Sequence, residues 1–200
     1  YSQLMARNAQ ITPTQHEYLE TIARSGEHLL GLINDVLIIS QIEAGRALLQ
    51  ENTFDLHRQL YGLQEMFQMR ADDKGLALRL DIAPDVSRYV QADEGKLRQV
   101  LINLLGNAAK FTREGGVALR VAGRQAEPGP EAGTPSSRAS HSRPSVSCLL
   151  YFEIEDTGPG IDSEEAGVIF DAFVQTKAGK HVQEGTGLGL AISQEFVRLM

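Results

Sequence analysis

Two hundred residues with 42% hydrophobic content are enough for one or two domains with a real core. A formal charge of −7 leaves no basic footprint, which argues against a nucleic-acid partner, and the single cysteine, Cys148, excludes an internal disulfide and fits a reducing compartment. The most apolar run, Leu29–Ile39, is too short for a membrane span and holds Asn34 and Asp35. No signal-peptide pattern is present, no Met initiates the chain, and a helical pattern runs into Met200. An internal segment of a longer protein is therefore expected, with any targeting signal outside it.

In chain order, Tyr1–Asn8 reads as the tail of a helix. Thr12-Pro13-Thr14-Gln15 starts the next one, with Thr12 as cap, Pro13 at the first helical position and Gln15 closing a capping box. Leu19, Ile22, Gly26, Leu29, Ile33, Val36 and Ser40 then alternate spacings of three and four. That is a heptad seam from about Gln15 to about Arg46, widened by Leu30, Leu37 and Ile42, and it needs a partner helix. An amphipathic helix packed on its own domain is the plainer reading. The length of the stripe and the helical segment before it favour a helical hairpin in a bundle.

Leu48–Asp55 reads as a strand, and Asp55 caps a helix whose apolar face is Leu56, Leu60, Leu63 and Phe67, ending near Lys74-Gly75. Leu76–Ile82 alternates with Leu76, Leu78, Leu80 and Ile82 inward, and Tyr89–Ala92 is a further short strand. Asp93 caps a helix with the buried stripe Leu97, Val100, Leu101, Leu104 and Ala108. Gly115–Ala122 is a strand with Val117, Leu119 and Val121 inward. Gly123–Ser147 is rich in Gly, Pro, Ser and Arg and reads as a flexible insertion. Cys148–Glu155 is again a strand, with Leu150, Phe152 and Ile154 on one face. Ser163 caps a short helix carrying Glu164 and Glu165, and Thr186–Met200 opens the last helix.

Four stretches carry the candidate chemistry. Asp156-Thr-Gly158-Pro-Gly160 puts a carboxylate at a strand end, where burial is costly unless a donor meets it. The two glycines leave room for a flat ligand, although a strand ending in a tight turn is the commoner meaning of such a sequence. Asn103, Asn107 and Lys110 recur at helical spacing and share a face. An amide oxygen there suits Mg²⁺ and a lysine suits phosphate, although alone they would pass as a polar surface. Phe170 and Phe173 lie in Ile169–Val174. Gly185-Thr186-Gly187-Leu188-Gly189-Leu190 leads into a helix, where backbone N–H groups and the helix dipole form an anion site. No Gly-Lys-Ser/Thr follows, so it is not a Walker loop.

In this order the four stretches resemble the asparagine box, first glycine box, phenylalanine box and second glycine box of the sensor histidine kinase ATP-binding domain. That domain belongs to the gyrase, chaperone, kinase and mismatch-repair ATPase superfamily. The resemblance covers essentially the whole chain. It implies an α+β fold in which a partial two-helix dimerisation hairpin (1–48) precedes an α/β-sandwich ATP-binding domain (49–200) that lacks its last strands. Residues 123–147 are the insertion and Val174–Glu184 the lid over the nucleotide.

The resemblance implies ATP and Mg²⁺ as cofactors. Asn107 is the metal ligand, with Asn103, Lys110, Asp156, Gly158, Gly160, Phe170, Phe173, Gly185, Thr186, Gly187, Leu188 and Gly189 around the nucleotide. Phe170 and Phe173 are expected to anchor the lid in the core rather than to stack on the base. It further implies a homodimer through the helical hairpin and a response-regulator receiver domain as partner. The location is the cytoplasmic portion of a parent anchored to a membrane, if at all, only through regions outside this chain. A hybrid parent is left open.

The superfamily's hydrolysing clamps carry a glutamate base four residues before the magnesium asparagine. Here that position is Asn103, which cannot take a proton. The site therefore looks built for transfer of the γ-phosphate to a histidine in a phosphorelay. None of His16, His28, His57, His141 and His181 is followed by both the acidic residue and the Arg/Thr-Pro of the family's acceptor. No catalytic residue is assigned within the chain, and the acceptor is expected upstream. Two alternatives stay open: an ATP-driven conformational clamp, and a non-catalytic nucleotide-binding dimer scaffold.

Overall fold

The computed structural model describes residues 12–125, 148–175 and 186–200, together with Met5. The expected helix over Tyr1–Asn8 (Met5 apart), most of the insertion and nearly all of the expected lid lie outside the described residues. The chain forms two compact units. One is Gln50–Asp162, joined by Met200, and the other combines Tyr1–Leu49 with Ser163–Leu199.

In the second of these, α1 runs from Pro13 to Glu43. Its start follows the sequence closely: the Gln15 N–H donates to Thr12 Oγ1 (3.3 Å), the Thr12 N–H donates to Gln15 Oε1 (2.9 Å), and a proline opens the first turn. The helix stops at Ala44, and Gly45 takes φ +64°. Most of the seam faces outward. Ile22 is 59% exposed, Leu29 58%, Ile33 48% and Val36 47%, so the apolar stripe has little cover among the described residues. α4 (Ser163–Ala166) is a single turn, with Ser163 as its first helical residue. α5 (Gly189–Leu199) packs on α1 and has buried Ala191, Ile192 and Phe196.

The unit Gln50–Asp162 holds the core. Strand β1 (Asn52–Asp55) pairs antiparallel with β3 (Tyr89–Ala92). β2 (Ala77–Ile82) lies parallel to β4 (Gly116–Gln125), which pairs antiparallel with β5 (Cys148–Asp156). Helices α2 (Leu56–Lys74) and α3 (Glu94–Phe111) pack on each other; α2 also lies against β2 and α3 along β5. Leu56, Leu60, Leu63 and Phe67 of α2 meet Leu97, Leu101, Leu105 and Ala108 of α3 and Val117, Leu119 and Val121 of β4 in one cluster. Full burial of each such side chain contributes about 1.5–3 kcal/mol.

Three details differ from the sequence reading. β1 begins at Asn52 rather than Leu48, which is 78% exposed; its partner β3 is four residues long and offers nothing further to pair with. β4 runs on to Gln125, three residues into the expected insertion, because Gly123, Arg124 and Gln125 find partners in Leu150, Leu149 and Cys148. In α3, Leu105 is buried while Leu104 is only half-buried: at four and seven residues from Leu101, Leu105 and Ala108 follow the core-facing row, and Leu104 falls on its flank.

Asp93 ties the unit together. Its side chain, 7% exposed, accepts from the Lys96 N–H (2.9 Å), the Lys96 ammonium (2.6 Å) and the Gln50 N–H (2.9 Å). It thus caps α3 and holds the chain entering β1. Burial pulls its carboxyl upward, but these three donors outweigh burial and hold the pKa at about 2, against 3.8 ordinarily. A lowered folded pKa means stability that is present above pH 3.8 and lost as pH falls toward 2, worth about 2 kcal/mol. Urea titrations should show the native chain losing that amount between pH 4 and pH 2 beyond any loss in Asp93→Asn. Parallel curves for the two proteins would contradict this role.

Candidate functional site

The polar face of α3 is fixed by its apolar one. With Leu97, Val100, Leu101, Leu105 and Ala108 buried, Gln99, Asn103, Asn107 and Lys110 emerge together, each half-buried. Asn103 Oδ1 accepts from Gln99 Nε2 at 3.5 Å. Asn107 has no protein hydrogen-bond partner among the described residues, so its amide oxygen is available. Lys110 Nζ lies 5.3 Å from the centre of the Phe111 ring. At the far end of α2, Lys74 Nζ donates to the carbonyls of Ala109 (2.6 Å) and Lys110 (3.0 Å). A cation at a helix C-terminus satisfies its last carbonyls and opposes the negative end of the dipole. Sequence reasoning missed Lys74. Its only signal was a basic residue just before the Gly75 that ends α2.

The carboxylate at the end of β5 is not buried, as the sequence suggested; Asp156 is exposed. It is nonetheless held. The Gly158 N–H donates to Oδ1 at 2.8 Å, and the Thr112 hydroxyl lies 3.4 Å from the same oxygen. Among the described residues Oδ2 accepts from nothing. A Cβ at position 158 would stand 2.6 Å from Asp156 Oδ1, so a larger residue there would push the carboxylate aside. Gly160 has φ +73° with open space around it. Thr157 anchors the same turn by donating to the Glu114 carbonyl (2.6 Å) and accepting from the Gly116 N–H (3.0 Å).

The remaining predicted residues belong to the other unit, except Gly185, which lies outside the described residues. Phe170 and Phe173 are 41% and 65% exposed and do not anchor a core, contrary to expectation. Phe173 instead takes φ +66°, rare for an aromatic residue, and its N–H donates to the Gly187 carbonyl at 3.0 Å. Gly187 has φ +71°, and a Cβ on it would come within 2.8 Å of the Phe173 backbone. The two motifs are thus joined through their backbones, which fixes Phe173 by hydrogen bonding rather than by packing.

The Leu188 N–H donates to Thr186 Oγ1 (3.1 Å), and that hydroxyl donates to Asp35 Oδ2 of α1 (3.3 Å). Burial holds the Asp35 carboxyl above its ordinary range, with the Thr186 hydroxyl pulling the other way. Leu188 is fully buried, and Gly189 opens α5, whose first turn has N–H groups without partners inside the helix.

Residues 92–200 match the family model for histidine kinase-, DNA gyrase B- and HSP90-like ATPases, and residues 1–45 match that of the His Kinase A (phospho-acceptor) domain. The chain belongs to the histidine kinase family of ATPases. It is 36% identical over 192 residues to the signal transduction histidine-protein kinase BarA of Escherichia coli, covering 96% of this chain and 19% of that protein. It is 40% identical over 195 residues to the circadian input-output histidine kinase CikA of Synechococcus elongatus, covering 94% and 22%. The chain thus spans about a fifth of the length of these relatives. Among solved structures, full-length ShkA in complex with AMPPNP is similar at TM-score 0.71 and 34% identity, over 98% of this chain and 37% of that one. The α+β architecture, a long helix followed by an α/β ATPase domain, is that of the family.

Membership gives the polar face of α3 and the Asp156 turn their setting in an ATP-binding catalytic domain. Among the described residues no group of three or more His, Cys, Asp or Glu side chains could hold a metal ion. Gly158→Ala should force the carboxylate off the Gly158 N–H and lower ATP affinity by about tenfold, the value of one hydrogen bond to a charged group. Calorimetry on the full-length protein checks this; unchanged affinity would show that the clasp on Asp156 is dispensable.

Proposed function

We propose that this chain is the ATP-binding catalytic part of a sensor histidine kinase, with residues 1–48 forming the dimerisation part and 49–200 the nucleotide-binding part. The observation that carries the reading is the polar face of α3. It presents Gln99, Asn103, Asn107 and Lys110 and no carboxylate, so nothing on it can activate water as a base. A face of amides and one cation suits holding a charged phosphate chain for transfer rather than hydrolysing it.

In this reading Asp156 Oδ2 accepts from the amino group of adenine, and Gly158 and Gly160 leave space for the ring. Asn107 gives its amide oxygen to Mg²⁺, which when bound neutralises phosphate charge. Lys110 meets phosphate as a point charge, and Asn103 keeps the neighbouring position neutral. Gly185, Thr186, Gly187, Leu188 and Gly189, with the first turn of α5, border the remaining phosphate oxygens, while the Leu188 N–H stays on Thr186 Oγ1. Phe170 and Phe173 border the nucleotide through the Phe173–Gly187 backbone pair. The accepting histidine comes from outside the 200 residues, since none of the five here has the family's acceptor context. The phosphoryl group passes on to a response-regulator receiver domain, and the chain works in the cytoplasm.

The full-length protein should bind MgATP. Asp156→Asn should weaken adenine binding about tenfold or more, because the amide presents a donor toward a donor. Asn107→Ala should remove the dependence of affinity on Mg²⁺. If calorimetry finds both variants equal to the native protein, the site assignment is wrong.

A homodimer through α1 follows from the uncovered stripe. Ile22, Leu29, Ile33 and Val36 expose apolar surface at heptad spacing, which a second copy would cover symmetrically. Ile33→Asp places an unpaired charge in that seam and should shift the protein from dimer to monomer in light scattering. The same mass for both would place the dimer contact elsewhere.

A further inference from the structure

Thr112 ends α3. Its N–H donates to the Ala108 carbonyl at 3.0 Å, and its backbone turns extended at φ −75°, ψ 130°. It is fully buried, one of four buried polar residues among those described. The other three serve the fold: Gln59 Nε2 donates to the Glu94 carbonyl, Asp93 caps α3, and Ser193 bonds back to the Gly189 carbonyl. The Thr112 hydroxyl instead reaches Asp156 Oδ1 (3.4 Å), across from the end of α3 to the end of β5. The approach is close on every side. A Cβ on Gly158 would stand 2.6 Å from Asp156 Oδ1 and 3.5 Å from both the Thr112 hydroxyl and the Phe111 carbonyl. Two donors from different segments therefore converge on one carboxylate oxygen and leave the other open.

We propose that Thr112 is a specificity-determining positioning residue: its hydroxyl fixes the rotation of the Asp156 carboxylate so that Oδ2 is presented as a pure acceptor, selecting a 6-aminopurine over a 6-oxopurine nucleotide. This rests on reading Asp156 as the group that contacts the base. The χ2 torsion of aspartate is broad, so a carboxylate held by the Gly158 N–H alone can turn. An exocyclic amino group donates a hydrogen bond to Oδ2 in either case once the carboxylate has settled. A 6-oxo group sets its lone pairs against those of the carboxylate, and the repulsion is relieved only if the carboxylate turns away. A second donor on Oδ1 opposes that turn. A buried hydroxyl left without its acceptor is itself costly, so the hydroxyl and the carboxylate hold each other in place.

The test compares ATP and inosine triphosphate, each with Mg²⁺, by calorimetry on the full-length protein. The native protein should prefer ATP. Thr112→Val keeps the shape and removes the hydroxyl, and should lower the ATP:ITP affinity ratio by about fivefold to tenfold. Thr112→Ser, which keeps the donor, should return the ratio to within about twofold of native. Thr112→Ala is a second hydroxyl-free variant should the valine not be accommodated, with the same expected fall. A purely structural Thr112 would weaken both nucleotides alike, and an unchanged ratio in a folded hydroxyl-free variant overturns the proposal. Asp156→Asn run alongside separates the two readings. If it collapses the ratio while the Thr112 variants do not, only the role of Thr112 fails. If it too leaves the ratio unchanged, the reading of Asp156 fails.

Discussion

The rotation of α3 about its own axis is the constraint on which the site depends. One helix carries both four residues of the core cluster and the polar face, and with 3.6 residues per turn the two are not independent. Seating Leu97, Leu101, Leu105 and Ala108 in the cluster with α2 and β4 leaves Asn103, Asn107 and Lys110 only one direction to face. Both ends of the helix are pinned as well. Asp93 caps the start and ties it to Gln50, while Lys74 and Thr112 hold the last carbonyls and the exit. A helix fixed in rotation by packing and in translation by its caps can hold two amides and an ammonium within the tolerances that ligand binding needs.

Backbone sterics do for the loops what packing does for α3. Gly116 lies where a Cβ would stand 2.5 Å from the Ala77 carbonyl, so the parallel register of β2 and β4 requires glycine there. Gly158 clasps Asp156, and Gly187 accepts from Phe173 across a gap too narrow for a side chain. At these positions the absent Cβ gives a hydrogen bond its geometry.

Much of this was legible in the sequence because it rests on local rules. The Thr12–Gln15 capping box, the Asp55 and Asp93 caps, the Gly75 stop and the alternation of β2, β4 and β5 each follow from a few neighbouring residues. What was not legible depends on partners distant in sequence. The extent of β4 is set by how far β5 can answer it, and the choice of Leu105 over Leu104 by what lies beneath the helix. Lys74 and Thr112 act on groups more than thirty residues away, at sequence separations of 35 and 44, which no motif spacing announces. Phe170 and Phe173 misled because an aromatic residue usually means core. Here one of them takes a left-handed backbone to meet a glycine, and hydrogen bonding decided its place.

Counting donors and acceptors sharpens what the two glycine motifs can offer a ligand. A carboxylate has about four lone-pair directions, and Asp156 uses two of them on one oxygen, so its other oxygen can meet a ligand without breaking a bond. Thr186 is in the opposite position. Its hydroxyl has one proton, which goes to Asp35, and one of its lone pairs takes the Leu188 N–H. Any acceptor that needed the Thr186 proton would have to displace a carboxylate whose pKa burial already raises. In the proposed reading the second glycine motif meets an anion through backbone N–H groups while Thr186 serves Asp35, and a phosphate arriving there would add negative charge beside a carboxylate of the same sign. Occupancy of the motif and the Thr186–Asp35 bond oppose each other on electrostatic grounds, whereas occupancy beside Asp156 leaves the bonds of that turn intact.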